Sequence, residues 1–214
     1  MRAGHPVVAI VGPTASGKTS LSIEVARALG AEIISMDSRQ VYRGMDIGTA
    51  KASPEQRRTV PHHGLDLVGP EERFSAGRYA RYAREMIAEV QARGRTPILV
   101  GGTGFFLRAL THPIFREPPL DAARRTALAG YLAGLDEAEL HRWLSALDPP
   151  SADRLGGWGG RQRLLRALEL PLLTGRTLPW WHQHSPPEEP PLRPLVFVLH
   201  LPRQALVEAI DRRV

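Results

Sequence analysis

The chain has 214 residues, a formal net charge of +6 and no cysteine. Lack of cysteine excludes disulfides and thiolate metal sites and suits a reducing compartment. No apolar run approaches the roughly 20 residues of a membrane helix, so a cytoplasmic protein with no membrane attachment is expected. The basic balance favours a polyanionic partner, because neutralising phosphates releases counterions. A hydrophobic fraction of 43% is enough for a packed interior.

Pro6–Val11 is a continuous apolar run, as expected of a strand covered on both faces. The loop Gly12-Pro13-Thr14-Ala15-Ser16-Gly17-Lys18-Thr19 follows, and then a helical pattern from Thr19 to Leu29 that Gly30 stops. Ala31–Met36 reads as a second strand ending at Asp37. Ser75–Arg93 reads as a helix with Ser75 as its cap and Gly94 at its end. Thr96–Val100 is a further buried strand, running into Gly101-Gly102-Thr103-Gly104, and Phe105–Leu110 opens another helix. Strands alternating with helices imply a parallel sheet with right-handed crossovers.

The pattern changes after about residue 113. Asp121–Leu135, Glu137–Leu147 and Gln162–Leu173 are helical, with no strand between them. A proline-rich stretch, 185–191, reads as an extended connector. Pro194–Leu201 is an apolar strand again, and Arg203–Val214 has helical spacing that stops without a capping glycine or proline, as expected of a truncated chain. The expected fold is α/β: a P-loop NTPase-like parallel sheet flanked by helices, formed by residues 1–112 and 193–214, with an all-helical insertion over 113–192.

The glycine-rich loop has the form G-x-x-x-x-G-K-[ST], between a buried strand and a helix, which is the context that motif needs. Backbone N–H groups from Ala15 to Thr19 are expected to surround a diphosphate at the helix N-terminus. Lys18 would bridge the diphosphate oxygens, and the Thr19 hydroxyl would ligate Mg²⁺. Only two of the 28 basic residues are lysine. A compact ammonium can follow a phosphate oxygen where a planar guanidinium cannot, which explains Lys18 and draws attention to Lys51 at the end of Gly48-Thr49-Ala50-Lys51. Nucleotide hydrolases place an acidic residue after another core strand. Here the strand ending at Val100 runs into glycines instead, and the best-placed carboxylate is Asp37. Ligands of open parallel sheets bind at the carboxyl ends of the strands, so Asp37 is a candidate general base. The adjacent His62 and His63 do not make a metal site by adjacency alone. On these residues a small-molecule kinase using ATP and a non-catalytic RNA-binding protein both remain open.

The order of motifs carries more. The loop Gly12–Thr19, the run Asp37–Lys51, Val60-Pro61-His62-His63, Val100–Gly104 and Arg166-Ala167-Leu168-Glu169 together resemble the tRNA dimethylallyltransferases, also called tRNA isopentenyltransferases. Adenylate, shikimate and gluconate kinases share the loop but not the run from Asp37 to Lys51. The resemblance implies transfer of a dimethylallyl group from dimethylallyl diphosphate to the exocyclic amine of the adenosine adjoining the tRNA anticodon, with release of pyrophosphate. It implies Asp37 as the base, Lys18 on the leaving group and Thr103 beside the diphosphate and the reacting nucleotide. Ser38, Arg39 and Gln40 match the segment that contacts the target nucleotide, and hydrogen bonds from Gln40 and its backbone to the base edge are expected. Arg125, Gln162 and Arg163 match positions that contact the anticodon stem-loop, and Arg213 matches an arginine near the diphosphate. Mg²⁺ is the implied cofactor and a monomer the expected state. The chain departs from the family in two places. Gly156-Gly157-Trp158-Gly159-Gly160 stands where an Asn-Asp pair is usual, which implies a more mobile loop. Phe105 replaces a tyrosine after Gly104. Members of the family are expected to continue beyond Val214. For Trp180 and Trp181, packing is the expected role.

Overall fold

The computed structural model describes residues 6–112, 115, 118–156, 160–185 and 190–212. Two compact units emerge, one formed by Met1–Pro113 with Pro191–Val214 and the other by Ile114–Pro190.

The first unit is built on five strands: β1 (Val8–Val11), β2 (Glu32–Ser35), β3 (His62–His63), β4 (Pro97–Gly101) and β5 (Leu195–Val198). Their order is β3-β2-β4-β1-β5, and every pairing is parallel. The apolar runs read from the sequence become β1, β2 and β4 because both faces of those strands are covered. Ile10, Ile33 and Ile98 pack on one face with Ala26 of α1 (Lys18–Leu29) and with Val60. Alternate residues, Ala9, Ile34 and Leu99, point the other way and are fully buried. On that side lies α3 (Ala76–Ala92), which packs on β2 and β4. It also packs on α4 (Gly104–Thr111), where the Tyr79 and Phe106 rings stack at 4.1 Å.

Helix ends follow the sequence signals. Gly30 caps α1 in the left-handed conformation, with φ 59°, and its N–H bonds back to the last turn. The Ser75 side chain caps α3 by accepting from Arg78 N. The short helix α2 (Pro54–Thr59) has a complete capping box between Ser53 and Gln56, with proline in the first turn.

Two strands differ from a simple reading of hydrophobicity. β3 is only two histidines long, with His63 Nε2 2.7 Å from Glu32 Oε2, so no apolar run announces it. β5 is a continuous apolar run, yet all four residues are exposed; it pairs with β1 at one edge of the sheet. The helix α10 (Arg203–Asp211) follows it.

The second unit is all helical: α5 (Ala122–Ala133), α6 (Glu137–Leu147), α7 (Pro149–Leu155), α8 (Gly160–Thr174) and α9 (Leu178–His184). Leu132, Leu140, Leu144, Leu164 and Leu168 form its core. Asp148 is fully buried and ties two helices together. Its Oδ1 accepts from Ser151 N at the start of α7, and its Oδ2 accepts from Leu178 N at the start of α9.

Candidate active site

The loops after β1, β2 and β4 leave the same edge of the sheet, because parallel strands all present their carboxyl ends together. They are in backbone contact. A Cβ on Gly101 would lie 2.0 Å from the Met36 carbonyl oxygen, so only glycine lets the β4 turn meet the end of β2. Neighbouring Gly102 lies against the Gly12 carbonyl, which joins the β4 turn to the β1 loop.

Gly12 to Thr19 form the first wall. Gly17, at φ 84°, is the N-cap of α1 and brings no side chain to the helix N-terminus. No side chain caps the first turn, and helix N-termini of this kind bind anions. Ala15 holds a left-handed φ of 63°, a strained backbone of the kind that functional loops retain. Lys18 Nζ donates to the Pro13 carbonyl and lies 3.4 Å from Ser16 Oγ, so the lysine head stays against its own loop. Thr14 lies exposed on the loop, and Thr19 is half-buried in the first turn of α1.

Asp37 begins the second wall. Its Oδ1 accepts from Arg39 N at 2.8 Å and lies 3.4 Å from Gln40 N, which sets the Asp37–Gln40 turn. Its hydrogen bonds within the described residues all run through that oxygen, so Oδ2 can serve a substrate. Thr103, the N-cap residue of α4, spans to this turn: its Oγ1 accepts from Ser38 N at 3.1 Å and lies 3.4 Å from Ser38 Oγ. Asp37, Ser38 and Thr103 therefore occupy one spot at the sheet edge.

Gln40 is engaged differently from the base-edge role expected of it. Its Oε1 accepts from Ser35 Oγ at 2.9 Å, and its Nε2 donates to the Thr49 and Ala50 carbonyls at 3.0 and 3.3 Å. Both ends of the amide are thus used inside the protein, which makes Gln40 a brace between β2 and the loop ending at Lys51.

Lys51 and Asp66 complete the loop from beneath. Burial pushes the Asp66 carboxyl up, but hydrogen bonds from Lys51 and Arg57 more than offset this and hold it below the usual range. The sequence flagged Lys51 by the rarity of lysine. Nothing local flagged Asp66, which lies 15 residues away and meets Lys51 only through tertiary folding.

In the helical unit, Arg125 makes a two-pronged contact with Glu169, and Arg166 also reaches Glu169. Gln162 and Arg163 line a cavity of about 270 Å³ together with Arg154, Arg166 and Leu178. Trp180 is packed between partners of its own helix region: it stacks on His184 at 4.4 Å, and the Arg176 guanidinium lies 5.0 Å from its ring centre. Arg213, expected near the diphosphate, and the glycines at 157 and 159 lie outside the described residues.

The parallel sheet, with a glycine-rich loop between its first strand and first helix, defines a P-loop-like α/β protein. A family model described as IPP transferase matches residues 40–214, and the chain belongs to that family. Among curated relatives named tRNA dimethylallyltransferase, one from Syntrophobacter fumaroxidans is 45% identical over the whole of this chain and 62% of its own length. Another, from Halorhodospira halophila, is 46% identical over 94% of this chain and 64% of its own. The chain thus spans less than two-thirds of the length of these relatives. Among solved structures, the full-length tRNA isopentenylpyrophosphate transferase of Bacillus halodurans is 38% identical, with a TM-score of 0.59 over 98% of this chain and 64% of that one. A eukaryotic dimethylallyltransferase acting on tRNA is 26% identical, with a TM-score of 0.79 over 98% of this chain and 52% of that one.

Proposed function

We propose that the protein transfers a dimethylallyl group from dimethylallyl diphosphate to the N6 amine of the adenosine adjoining the tRNA anticodon. The bond from the allylic carbon to the diphosphate oxygen breaks, and a bond from that carbon to N6 forms. The N6 proton passes to the Asp37 carboxylate, and pyrophosphate leaves from the Gly12–Thr19 loop. One observation carries this reading: the Asp37 turn and the phosphate loop share a sheet edge, joined by the β4 turn that bears Thr103.

Each residue has a task that the chemistry requires. The adenine amine is a poor nucleophile because its lone pair is delocalised into the ring, so a carboxylate that accepts its proton as the bond forms lowers the barrier. Asp37 keeps one oxygen for that purpose while the other holds the turn. The departing diphosphate develops charge, which the N–H groups of the α1 N-terminus and the Lys18 ammonium stabilise. Thr103, already bonded to Ser38, fixes the acceptor turn against the β4 turn.

Mg²⁺ takes oxygen donors, keeps waters and binds substrate phosphates, so the Thr19 hydroxyl, half-buried in the first turn of α1, is the oxygen that would hold it beside a bound diphosphate. Bound there, it would neutralise charge on the leaving group.

The basic side chains of the helical unit supply the proposed tRNA contacts. Arg163 and Gln162 border an open cavity with Arg154. Arg125 lies on α5 beside Glu169 of α8. The test is transfer of labelled dimethylallyl to an anticodon stem-loop RNA. Label in RNA and pyrophosphate release, each requiring both substrates, supports the reading. ADP formation from ATP without RNA would replace it with the kinase alternative.

A further inference from the structure

Lys51 is one of only two lysines in the chain, and its side chain is 1% exposed. Its ammonium donates to the Tyr42 carbonyl at 2.9 Å and to Asp66 Oδ1 at 2.7 Å, and lies 2.7 Å from Asp46 Oδ1. These are three acceptors on two stretches of chain, and an ammonium has three N–H donors that can diverge to meet them. A planar guanidinium presents its donors in one plane and cannot reproduce that arrangement. In a chain that uses arginine almost everywhere else, lysine is retained where the geometry requires it.

The backbone around this ammonium is strained. Ala50 has φ 47° and Asp66 has φ 57°, both left-handed and neither a glycine. Such conformations persist where the surroundings over-determine them, and the Lys51 contacts are what holds both ends here. Arg57 adds to the restraint by binding the second Asp66 oxygen at 3.0 Å and the Ala52 carbonyl at 2.8 Å.

The network leads to the proposed base by two routes. Asp66 N donates to the Gln40 carbonyl at 3.2 Å. The Thr49 and Ala50 carbonyls, just before Lys51, take the Gln40 side-chain amide. Gln40 N in turn faces Asp37 Oδ1. We propose that Lys51 is a positioning residue that, by binding Tyr42, Asp46 and Asp66 at once, holds the Asp37–Gln40 turn in its proton-accepting orientation. This rests on the transfer reading for its catalytic consequence, though not for its structural part.

The experiment compares Lys51→Met, Lys51→Arg and Asp66→Asn in the whole 214-residue chain. Amide hydrogen exchange is expected to quicken by about tenfold or more at Arg39, Gln40 and Asp66 in Lys51→Met, while Ile33 and Leu99 in the sheet keep their protection. With dimethylallyl diphosphate and stem-loop RNA, kcat is expected to fall by about 10²-fold, the cost of a misplaced catalytic group. KM for dimethylallyl diphosphate should stay within about twofold, because the phosphate loop is untouched. Lys51→Arg should not rescue, and Asp66→Asn, which keeps the lysine, should show the same pattern more weakly. Unchanged exchange at Arg39 and Gln40, or loss of protection throughout the sheet, overturns the proposal. So does a rise in KM with kcat retained, or full activity in Lys51→Arg. If the wild-type chain transfers no label, the transfer reading fails by itself, and the exchange pattern still decides whether Lys51 holds the turn.

Discussion

Asp37→Asn isolates the proposed acid–base role at a single residue. The amide oxygen can still accept from Arg39 N and Gln40 N, so the turn should keep its shape. What is lost is the basicity at the second position. A general base contributes roughly 10²–10⁴-fold, so kcat for transfer should drop by that order. RNA affinity, measured by filter binding, should stay within about threefold, since the contact to N6 is one among many that would hold the RNA. A variant that keeps most of its turnover would show that the proton goes elsewhere. Residue identity at this position was legible in the sequence: a carboxylate directly after an apolar strand points to the carboxyl edge of a sheet. The role of Gln40 was not. Its amide has two ends, and only folding shows Ser35 on one and the Thr49 and Ala50 carbonyls on the other.

Among the elements, two buried carboxylates do structural work with opposite character. Asp148 caps α7 and holds the first turn of α9 with separate oxygens. Asp148→Ala removes the side-chain acceptor of both N–H groups; Ser151 N keeps the residue 148 backbone carbonyl, and the half-buried Leu178 N loses its partner. Urea unfolding should show a loss of about 2 kcal/mol, in the range of a lost cap and an unsatisfied donor. Glu32 begins β2 and is charge-compensated. The hydrogen bond from Arg93 lowers its pKa most, burial opposes this, and His63 lowers it further. A carboxyl whose folded-state pKa is depressed stabilises the fold at pH values above its unfolded pKa, about 4.3. That contribution is lost as pH falls through the folded value. Glu32→Gln should therefore lower the thermal midpoint at pH 7, and the gap between variant and wild type should close as the pH is taken down through the acid range. A gap that persists at the acid end would mean Glu32 acts by packing and not by charge.

At the scale of the whole molecule, the net charge of +6 and the arginines of the helical unit predict a steep salt dependence of RNA binding. Each phosphate contact contributes a slope of about −0.7 to −0.9 in log affinity against log salt. Arg163→Ala should flatten the slope by about that much and leave the affinity for pyrophosphate unchanged. An unaltered slope would place Arg163 away from the RNA.

The sequence by itself determined the alternation of strands and helices, the glycine-rich loop between the first strand and first helix, and the switch to an all-helical stretch. Those signals are local: apolar runs, 3.6-residue spacing, capping residues and a glycine-lysine motif act over a few positions. Tertiary structure alone decided three other things. It made a strand of His62–His63, whose pairing depends on β2 and not on its own hydrophobicity. It placed the apolar run of β5 at an exposed edge, because burial depends on neighbours that the run does not encode. It also brought Asp66 to Lys51 and the Met36 carbonyl to Gly101, contacts between distant segments that exist only once the parallel sheet has aligned its strand ends.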